Sequence, residues 1–479
     1  MNKSSIVTSF FNFQISEDIE IVHVTDDSRD VRRGSLFIAR QGVSSHGEDF
    51  IDHAIANGAV CVISNKKELL QIDVPFKFEK DLEEKIIPFL FKFYKLCSSD
   101  FLFFGITGTN GKTSTAFFAH QIMRKLNKQS CYIGTLGALV DDQKILTKGN
   151  TTPGIFELFD IFQSLNPNKK TYVFLEVSSH ALDQNRLLNL EFFQTMLLNI
   201  QSDHLDYHLS LDNYIKAKLS ILNVPSLNLP IVNIDSELIN INFDQNNFHE
   251  FQPLSFKDSL SSFSCKIDYI SKGTSLMSIN YPNIETSINI SLFPKFNLEN
   301  LAHAIALISN IVTAEEISIL NNWMLLLPPG RCELIELDQG DVFIDFAHNP
   351  KSMQNILSSL KESYKEIILV FGCGGDRDKQ KRPEMMKIAT GFSKIVLFTS
   401  DNNRNEDFLS IAKDAINGYE YNNLELMESR EDAIKTGLNK LNNHNVLAIL
   451  GKGHETFIET AGKKILFNDR DCVLRNARV

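Results

Sequence analysis

Gly105-Ile106-Thr107-Gly108-Thr109-Asn110-Gly111-Lys112-Thr113-Ser114 decides how the rest of the chain is read. The run Phe101-Leu102-Phe103-Phe104 before it reads as a short buried strand. The spacing of Ala116, Phe117, His120, Ile122 and Met123 predicts a helix from Thr113 to about Leu126. Strand, glycine loop and helix in that order form a phosphate cradle, because glycines turn backbone N–H groups inward and a helix N-terminus favours anions. Within Gly108, Thr109, Asn110, Gly111, Lys112, Thr113 and Ser114, Lys112 is placed to reach β/γ-phosphates and the Thr113 hydroxyl to ligate Mg²⁺. The strict pattern G-x-x-x-x-G-K-[ST] needs glycine at 106, where Ile106 stands; here glycine comes one place earlier, at Gly105. The expected ligand is a nucleoside triphosphate.

A chain of 479 residues suggests about three domains. The net charge of −11 and pI of about 5.6 argue against nucleic acid or an anionic membrane as a partner, so cations that bind anionic ligands must be local. The seven cysteines are scattered without a C-x-x-C pair, which fits a reducing cytosol and excludes a disulfide framework or structural zinc. Neither a signal h-region nor a membrane-length apolar run is legible, and a cytoplasmic protein is expected.

Outward from the loop, the chain alternates strands and helices. Strands are expected over 19–24, 35–39 and 59–63, helices over 50–57 and 81–97. The stretch Thr25-Asp26-Asp27-Ser28-Arg29, with Arg32 and Arg33 beyond it, is either an anion site or a solvated loop. A strand over 171–175 ends in Glu176, a carboxylate well placed for Mg²⁺ beside a phosphate loop. A strand over 196–200 leads into Ser202-Asp203-His204-Leu205-Asp206-Tyr207-His208, which suggests a second metal or proton-handling site or ordinary packing. The polar, Ser-rich segment 242–283 reads as a hairpin or an insertion and carries no chemistry.

A helix over 296–312 precedes Pro328-Pro329-Gly330-Arg331, which marks a domain boundary. Beyond it, strands over 342–345, 367–371, 394–399 and 446–450 alternate with helices, the rhythm of a parallel α/β domain. Their ends carry Asp345-Phe346-Ala347-His348-Asn349-Pro350, Gly372-Cys373-Gly374-Gly375-Asp376-Arg377-Asp378, Ser400-Asp401-Asn402-Asn403-Arg404 and Gly451-Lys452-Gly453-His454-Glu455. Open α/β sheets bind ligands at such ends. The cations Arg377, Arg382 and Arg404 and the acids Asp345 and Glu455 suit a zwitterionic or anionic second substrate. ATP plus two substrates points to a ligase that activates a carboxylate as an acyl phosphate for attack by an amine. A P-loop ATPase acting as a switch is the alternative from another class.

Segments 105–115, 176–186, 203–208, 345–350 and 451–455, in this order, resemble the ATP-dependent Mur ligases over nearly the full length. The resemblance implies a three-domain α/β fold: residues 1–97 for a UDP substrate, 98–328 as a central P-loop-type parallel-sheet ATPase, and 329–479 as a Rossmann-like amino-acid domain. The activity it implies is ATP- and Mg²⁺-dependent addition of meso-diaminopimelate to UDP-N-acetylmuramoyl-L-alanyl-D-glutamate, in peptidoglycan precursor synthesis. L-lysine or another diamino acid is the nearest alternative substrate. A monomer whose partners are these small molecules is expected.

By the same resemblance, Lys112 and Thr113 hold phosphate and metal with Glu176, His204 serves a second Mg²⁺, and Lys218 carries a carbamate, with Lys216 close by. Asn297, Asn300, Arg331, Asp345 and His348 match the ATP site. Ser28, Thr151, Thr152, Ser179, Gln184 and Arg186 match the UDP-substrate site. Arg377, Asp401, Asn402, Arg404, Gly451 and Glu455 match the diaminopimelate site. Three departures stand out: Asn403 where Asp-Asn-Pro-Arg has proline, expected to loosen the loop; His46-Gly47-Glu48 where Asp-Gly-His is common; and Pro294 at a usual glycine. Closure is expected to bring the Arg377 to Arg404 region against Glu176 and His204.

Overall fold

The computed structural model describes all residues except 1, 43–44, 68–71, 167, 240–249, 272–273, 322 and 478–479, and the side chains of 269–271 and 274. Three successive sheets organise the chain. The first has four parallel strands in the order β1 (His23–Thr25), β2 (Ser35–Ala39), β3 (Ala59–Ser64) and β4 (Phe76–Phe78). Its first strand is shorter than the apolar run over 19–24, because only from His23 onward does the backbone find partners on β2.

The central sheet is built around β5 (Phe101–Thr107). The strands that follow in the chain are β6 (Gln129–Gly134), β7 (Gly137–Val140), β8 (Gln143–Ile145), β9 (Thr171–Glu176), β10 (Gln194–Leu197), β11 (Ile231–Asn233), β12 (Gln252–Ser255), β13 (Phe263–Ser271), β14 (Thr274–Tyr281) and β15 (Ile284–Ile290). Their spatial order is β15-β14-β13-β12-β11-β10-β5-β9-β6-β7-β8. β5 lies between β9 and β10, parallel to both, with Ile106 level with Glu176 and Thr107 with Leu197. Parallel register thus brings Glu176 and the chain after β10 to the glycine loop. β10 ends at Leu197, short of the expected 200, because 198–201 leaves the ladder to clasp that loop.

Residues 242–249 and 272–273 of the Ser-rich segment lie outside the described residues. The remainder extends the sheet through the antiparallel β13, β14 and β15. One face of β13 to β15, including Phe263, Met277, Ile279 and Ile288, packs on the helix Phe296–Ile308. Alternation is weak there because serines such as Ser264 and Ser275 take buried positions among the apolar ones.

The C-terminal sheet runs β16 (Glu333–Leu337), β17 (Gly340–Asp345), β21 (Asn445–Leu450), β18 (Glu366–Phe371), β19 (Ile395–Thr399) and β20 (Leu424–Met427), numbered along the chain. All are parallel except the edge strand β16. Asp345 is level with Leu450, Leu450 with Phe371, and Phe371 with Phe398, so the polar loops share one edge. A small hairpin, β22 (Phe457–Thr460) and β23 (Lys463–Leu466), follows.

The first two sheets share an apolar core. Phe11, Phe89 and Phe93 from the N-terminal region continue into Phe91, Phe101, Phe159 and Phe162. Phe91 meets Phe159 edge-on at 4.8 Å between ring centres. Beside them Tyr94 donates to Asp160 Oδ1 at 2.6 Å, while His23 Nε2 lies 3.3 Å from Asp160 Oδ2. Among the described residues, no helix is long and apolar enough to cross a membrane. Phe159→Ala removes a wholly buried ring from this junction and is expected to cost ~3–5 kcal/mol. Calorimetry should show the first unfolding transition shifted down, and an unshifted transition would refute the shared core.

Candidate functional site

The glycine loop is shaped by its neighbours. Gly111 has φ of +89°, and a Cβ there would lie 2.6 Å from Asn300 Oδ1, so only glycine fits. Thr109 N–H donates to the Asn199 carbonyl at 3.0 Å, and Asn110 N–H to Asn199 Oδ1 at 2.9 Å. Lys112 folds back over the loop, its Nζ donating to the carbonyls of Gly108 at 2.7 Å and Thr109 at 3.1 Å. Burial lowers the Lys112 pKa, against the attraction of Glu176. Ser114, on the first turn of the helix Lys112–Lys125, lines both cavities described below.

Glu176 is wholly buried at the end of β9. Its Oε2 accepts from Thr113 Oγ1 at 3.0 Å and Thr135 Oγ1 at 3.2 Å, and its Oε1 from Thr135 N–H at 3.0 Å and from the Tyr132 hydroxyl. Gly134 makes room for it, since a Cβ there would overlap the carboxylate.

Lys218 comes from the helix Leu211–Leu219 and is 2% exposed; its Nζ donates to the Gly108 carbonyl at 2.9 Å. Lys216 faces solvent on the other side of that helix, which separates the two lysines that the sequence left adjacent. Burial and then the Lys112 charge push the Lys218 pKa well below its ordinary value, so the amine is inclined to neutrality. His204 has a left-handed backbone and is held down to about 4, chiefly by burial. Burial opposes ionisation of Asp203, but His204, His348 and Lys381 together hold it at about 2.

The C-terminal sheet edge faces this centre. Asn349 Nδ2 donates to Asp203 Oδ2 at 3.4 Å, and Arg377 Nη1 lies 3.4 Å from Asp206 Oδ2. A cavity of about 520 Å³ is walled on one side by Lys112, Thr113, Glu176, His204 and Lys218 and on the other by His348, Arg377, Asp401, Asn402, Arg404, Gly451 and Glu455. The two regions expected to meet therefore already share one cavity.

The wall opposite the phosphate loop is tightly bonded. Asp401 Oδ1 accepts from Asn402 N–H at 2.7 Å, and Asn402 Nδ2 donates to Glu455 Oε2 at 2.8 Å. Arg404 has φ of +50° and is clamped by the β22–β23 hairpin, its N–H donating to the Glu459 carbonyl at 3.0 Å. Its Nη1 donates to the Gly375 carbonyl at 2.7 Å. Two expectations are corrected here. Asn403 does not loosen the loop: it is 3% exposed, its Nδ2 donates to Ser400 Oγ at 3.1 Å, and its carbonyl packs where a Cβ on Gly375 would stand. Arg382 is no ligand cation, because it is wholly buried and committed to Glu406 at 2.8 Å and Asp414 at 2.8 Å.

A second cavity of about 670 Å³ opens behind Asn110 and Gly111, lined by Phe256, Phe296, Glu299, Asn300, His303, Arg331 and Asp345. Arg331 borders both cavities and lies 4.5 Å over the Phe346 ring. Asn297 lies behind this wall, accepting from Asn300 Nδ2 at 3.3 Å. Asp345, raised by burial, accepts from the N–H groups of Cys332 at 2.8 Å and Ala347 at 2.7 Å and so shapes its own loop. His348 borders the first cavity, its Nδ1 2.9 Å from the Phe346 carbonyl.

Of the residues matched to a UDP substrate, Thr151, Ser179 and Arg186 line the first cavity. Thr152 is buried beneath it, its hydroxyl donating to the Glu176 carbonyl at 2.8 Å. Gln184 holds Arg186, accepting from Nε at 2.8 Å. Ser28 lines neither cavity; it sits in the turn between β1 and β2, its Oγ 3.0 Å from His53 Nδ1. His46 and Glu48 organise their own turn, with Ser64 Oγ donating to Glu48 Oε1 at 3.0 Å. Sequence reasoning passed over Thr135, Tyr132, His303 and Lys452. Thr135 and Lys452 had a signal, standing in glycine-flanked motifs at strand ends, whereas Tyr132 and His303 are indistinguishable from core residues in one dimension.

Three family models match the chain: Mur ligase family, catalytic domain, over 20–87; Mur ligase middle domain over 106–308; and Mur ligase, glutamate ligase domain, over 330–453. The UDP-N-acetylmuramoyl-L-alanyl-D-glutamate 2,6-diaminopimelate ligase of Fusobacterium nucleatum is 32% identical over 478 residues, 98% of this chain and 97% of that protein. A solved ligase of the same description shares 26% identity at a TM-score of 0.64, covering 98% of both chains. The MurF ligase of Thermotoga maritima, solved in complex with ADP, has the same fold at 17% identity and a TM-score of 0.60, covering 92% of this chain and 96% of that one.

Gly111→Ala adds left-handed strain and a clash with Asn300, and should raise the KM for ATP by about tenfold in steady-state assays. An unchanged KM would show that the loop relaxes. A second expectation concerns acid. His180, His204 and His454 are each held to about 4, chiefly by burial. From 6.5 down to about 4 the unfolded chain takes up protons that these rings refuse, so stability falls as the pH drops through that window. The melting temperature should be lower at about pH 5 than at about pH 7, and the reverse order would contradict the buried neutral rings.

Proposed function

This chain belongs to the Mur ligase family, and we infer that it adds meso-2,6-diaminopimelate to UDP-N-acetylmuramoyl-L-alanyl-D-glutamate, converting ATP to ADP and phosphate. The observation that carries this reading is the shared cavity, where the phosphate loop faces a wall of paired carboxylates and an arginine. There a γ-phosphoryl group, a substrate carboxylate and an incoming amine can be held together, which replaces much of the entropic barrier of a three-component reaction.

The base would occupy the second cavity against Asn300, and the phosphates would cross Gly111 to Lys112, whose Nζ would exchange loop carbonyls for phosphate oxygens. Arg331, bordering both cavities, is suited to the phosphate chain between them. The γ-phosphoryl passes to an oxygen of the D-glutamyl carboxylate and ADP departs. The amine then attacks the acyl carbon, and phosphate leaves as the amide forms, with the amine's proton released. Thr151, Ser179 and Arg186 are proposed to orient the acyl substrate, with Thr152 and Gln184 supporting them, while Ser28 in the turn between β1 and β2 is proposed for its distant uridine diphosphate end. Asp401, Asn402, Glu455 and Gly451 are proposed to take the distal ammonium of the diamino acid, and Arg404 and Arg377 its carboxylate.

The donor set fits magnesium: the Thr113 hydroxyl and the Glu176 carboxylate are hard oxygen ligands already drawn together at 3.0 Å. Bound there, Mg²⁺ would neutralise the phosphate charge. Lys218 suits a carbamate, because burial and the Lys112 charge favour its neutral amine, which can add carbon dioxide with loss of a proton and become an anionic oxygen ligand with His204 nearby. We further propose that residues 1–97, 98–328 and 329–479 form the acyl-substrate, ATPase and amino-acid domains of a monomeric cytoplasmic enzyme.

Phosphate release is the direct test. With ATP, Mg²⁺ and the UDP dipeptide, release should depend on meso-diaminopimelate, be much weaker with L-lysine, and be lost in Lys218→Ala. In Arg404→Ala the kcat/KM for diaminopimelate should fall by at least about a hundredfold. Equal use of lysine would overturn the substrate, and release indifferent to every addition would overturn the ligase reading.

A further inference from the structure

Lys452 is wholly buried just beyond β21. Its Nζ donates to Glu455 Oε2 at 2.7 Å and to Asn402 Oδ1 at 3.3 Å, and lies 3.7 Å from Asp401 Oδ1. Gly451 beside it has φ of +113°, and a Cβ there would stand 2.9 Å from Asp401 Oδ2, so the backbone is shaped to admit that carboxylate. The other cations near this wall face other acids: Arg430 pairs with Asp469 at 2.7 Å, Arg382 with Glu406 at 2.8 Å and Arg377 with Asp206 at 3.4 Å, while the Lys381 charge acts on Asp203 across the cavity. The Arg404 guanidinium donates to the carbonyls of Gly375 and Asn402 and, among the described residues, pairs with no carboxylate. Asp401 and Glu455 against Lys452 and Arg404 thus leave the wall electrically neutral.

We propose that Lys452 is a specificity-determining residue, whose ammonium balances the wall so that it accepts a distal group carrying both an ammonium and a carboxylate over one carrying an ammonium alone. The inference rests on the ligase reading above. A zwitterionic end brings no net charge to a neutral, partly buried wall, and each of its charges finds an opposite partner. The distal ammonium of L-lysine brings one uncompensated positive charge, which such a wall disfavours. Without the Lys452 charge the wall becomes net negative, and the lone ammonium gains relative to the zwitterion. Lys452 acts through Asp401, Asn402 and Glu455 and is a positioning residue.

Lys452→Gln keeps a donor toward Glu455 and removes the charge. The readout is the ratio of kcat/KM for meso-diaminopimelate to that for L-lysine, from phosphate release at saturating ATP and UDP dipeptide. The ratio should fall by about tenfold, while the KM for ATP stays unchanged. In the double variant Lys452→Gln/Glu455→Gln, balance is restored and the ratio should move back toward that of the wild type. A merely structural lysine would lower both efficiencies in proportion; an unchanged ratio in Lys452→Gln, or a double-variant ratio no nearer the wild type's than that of Lys452→Gln, overturns the proposal. If Lys452→Gln does not fold, Glu455→Gln alone carries the test: it leaves the wall net positive and should raise the ratio, and a ratio that stays or falls overturns the proposal. A wild type that already uses lysine as well as diaminopimelate would instead overturn the substrate reading, before any variant is made.

Discussion

The carboxylate of Glu176 is the constraint on which the centre of the molecule depends. Placing a charged group wholly out of solvent costs several kcal/mol unless its oxygens are bonded. Here Thr113, Tyr132 and Thr135 supply the donors, so the phosphate loop, the end of β6 and the end of β9 are tied to one atom pair. Thr152 adds a bond to the Glu176 carbonyl, drawing in the segment before the helix Ile155–Phe162. The same oxygens are the natural place for a divalent cation, so what organises the site is also what a metal would use.

Buried cations recur, and their surroundings separate their uses. Arg382 and Arg430 are committed to carboxylates within the C-terminal domain, Arg430 also donating to the Leu450 carbonyl at 3.1 Å and so bracing a strand end beneath the ligand wall. Lys112 and Lys218 both donate to the Gly108 carbonyl; burial lowers the pKa of each, and the Lys112 charge lowers that of Lys218 further. Two lysine nitrogens on one carbonyl leave donors to spare for an anionic ligand. Arginine serves where planar, permanent pairing is wanted, and lysine where charge must respond to a ligand.

Junctions between the sheets differ in kind. The first sheet is joined to the central one by a continuous apolar core, whereas the central and C-terminal sheets meet across the cavity through long polar contacts such as Asn349 to Asp203 at 3.4 Å, with apolar contact confined to a few side chains such as Phe293 and Phe296. A polar, partly wet junction permits relative movement that an apolar core resists. That asymmetry suits a site in which one substrate must enter between two halves while another is held by a fixed face.

The sequence by itself determined the phosphate loop, the α/β rhythm and the order of the polar strand ends, because strand periodicity, glycine spacing and the chemistry of Gly-Lys-Thr are local properties of the chain. Family likeness added roles for residues whose types alone left alternatives open. Only the tertiary structure decided which of two nearby lysines is buried, that Arg382 serves the fold, that Asn403 tightens its loop, and that Lys452 stands between two carboxylates. The extension of the central sheet by β13 to β15 was equally out of reach, since buried serines such as Ser264 and Ser275 blur the pattern. Each of these outcomes depends on what lies across space from a residue. Burial and charge pairing are set by neighbours tens or hundreds of positions away, and no local signal carries them.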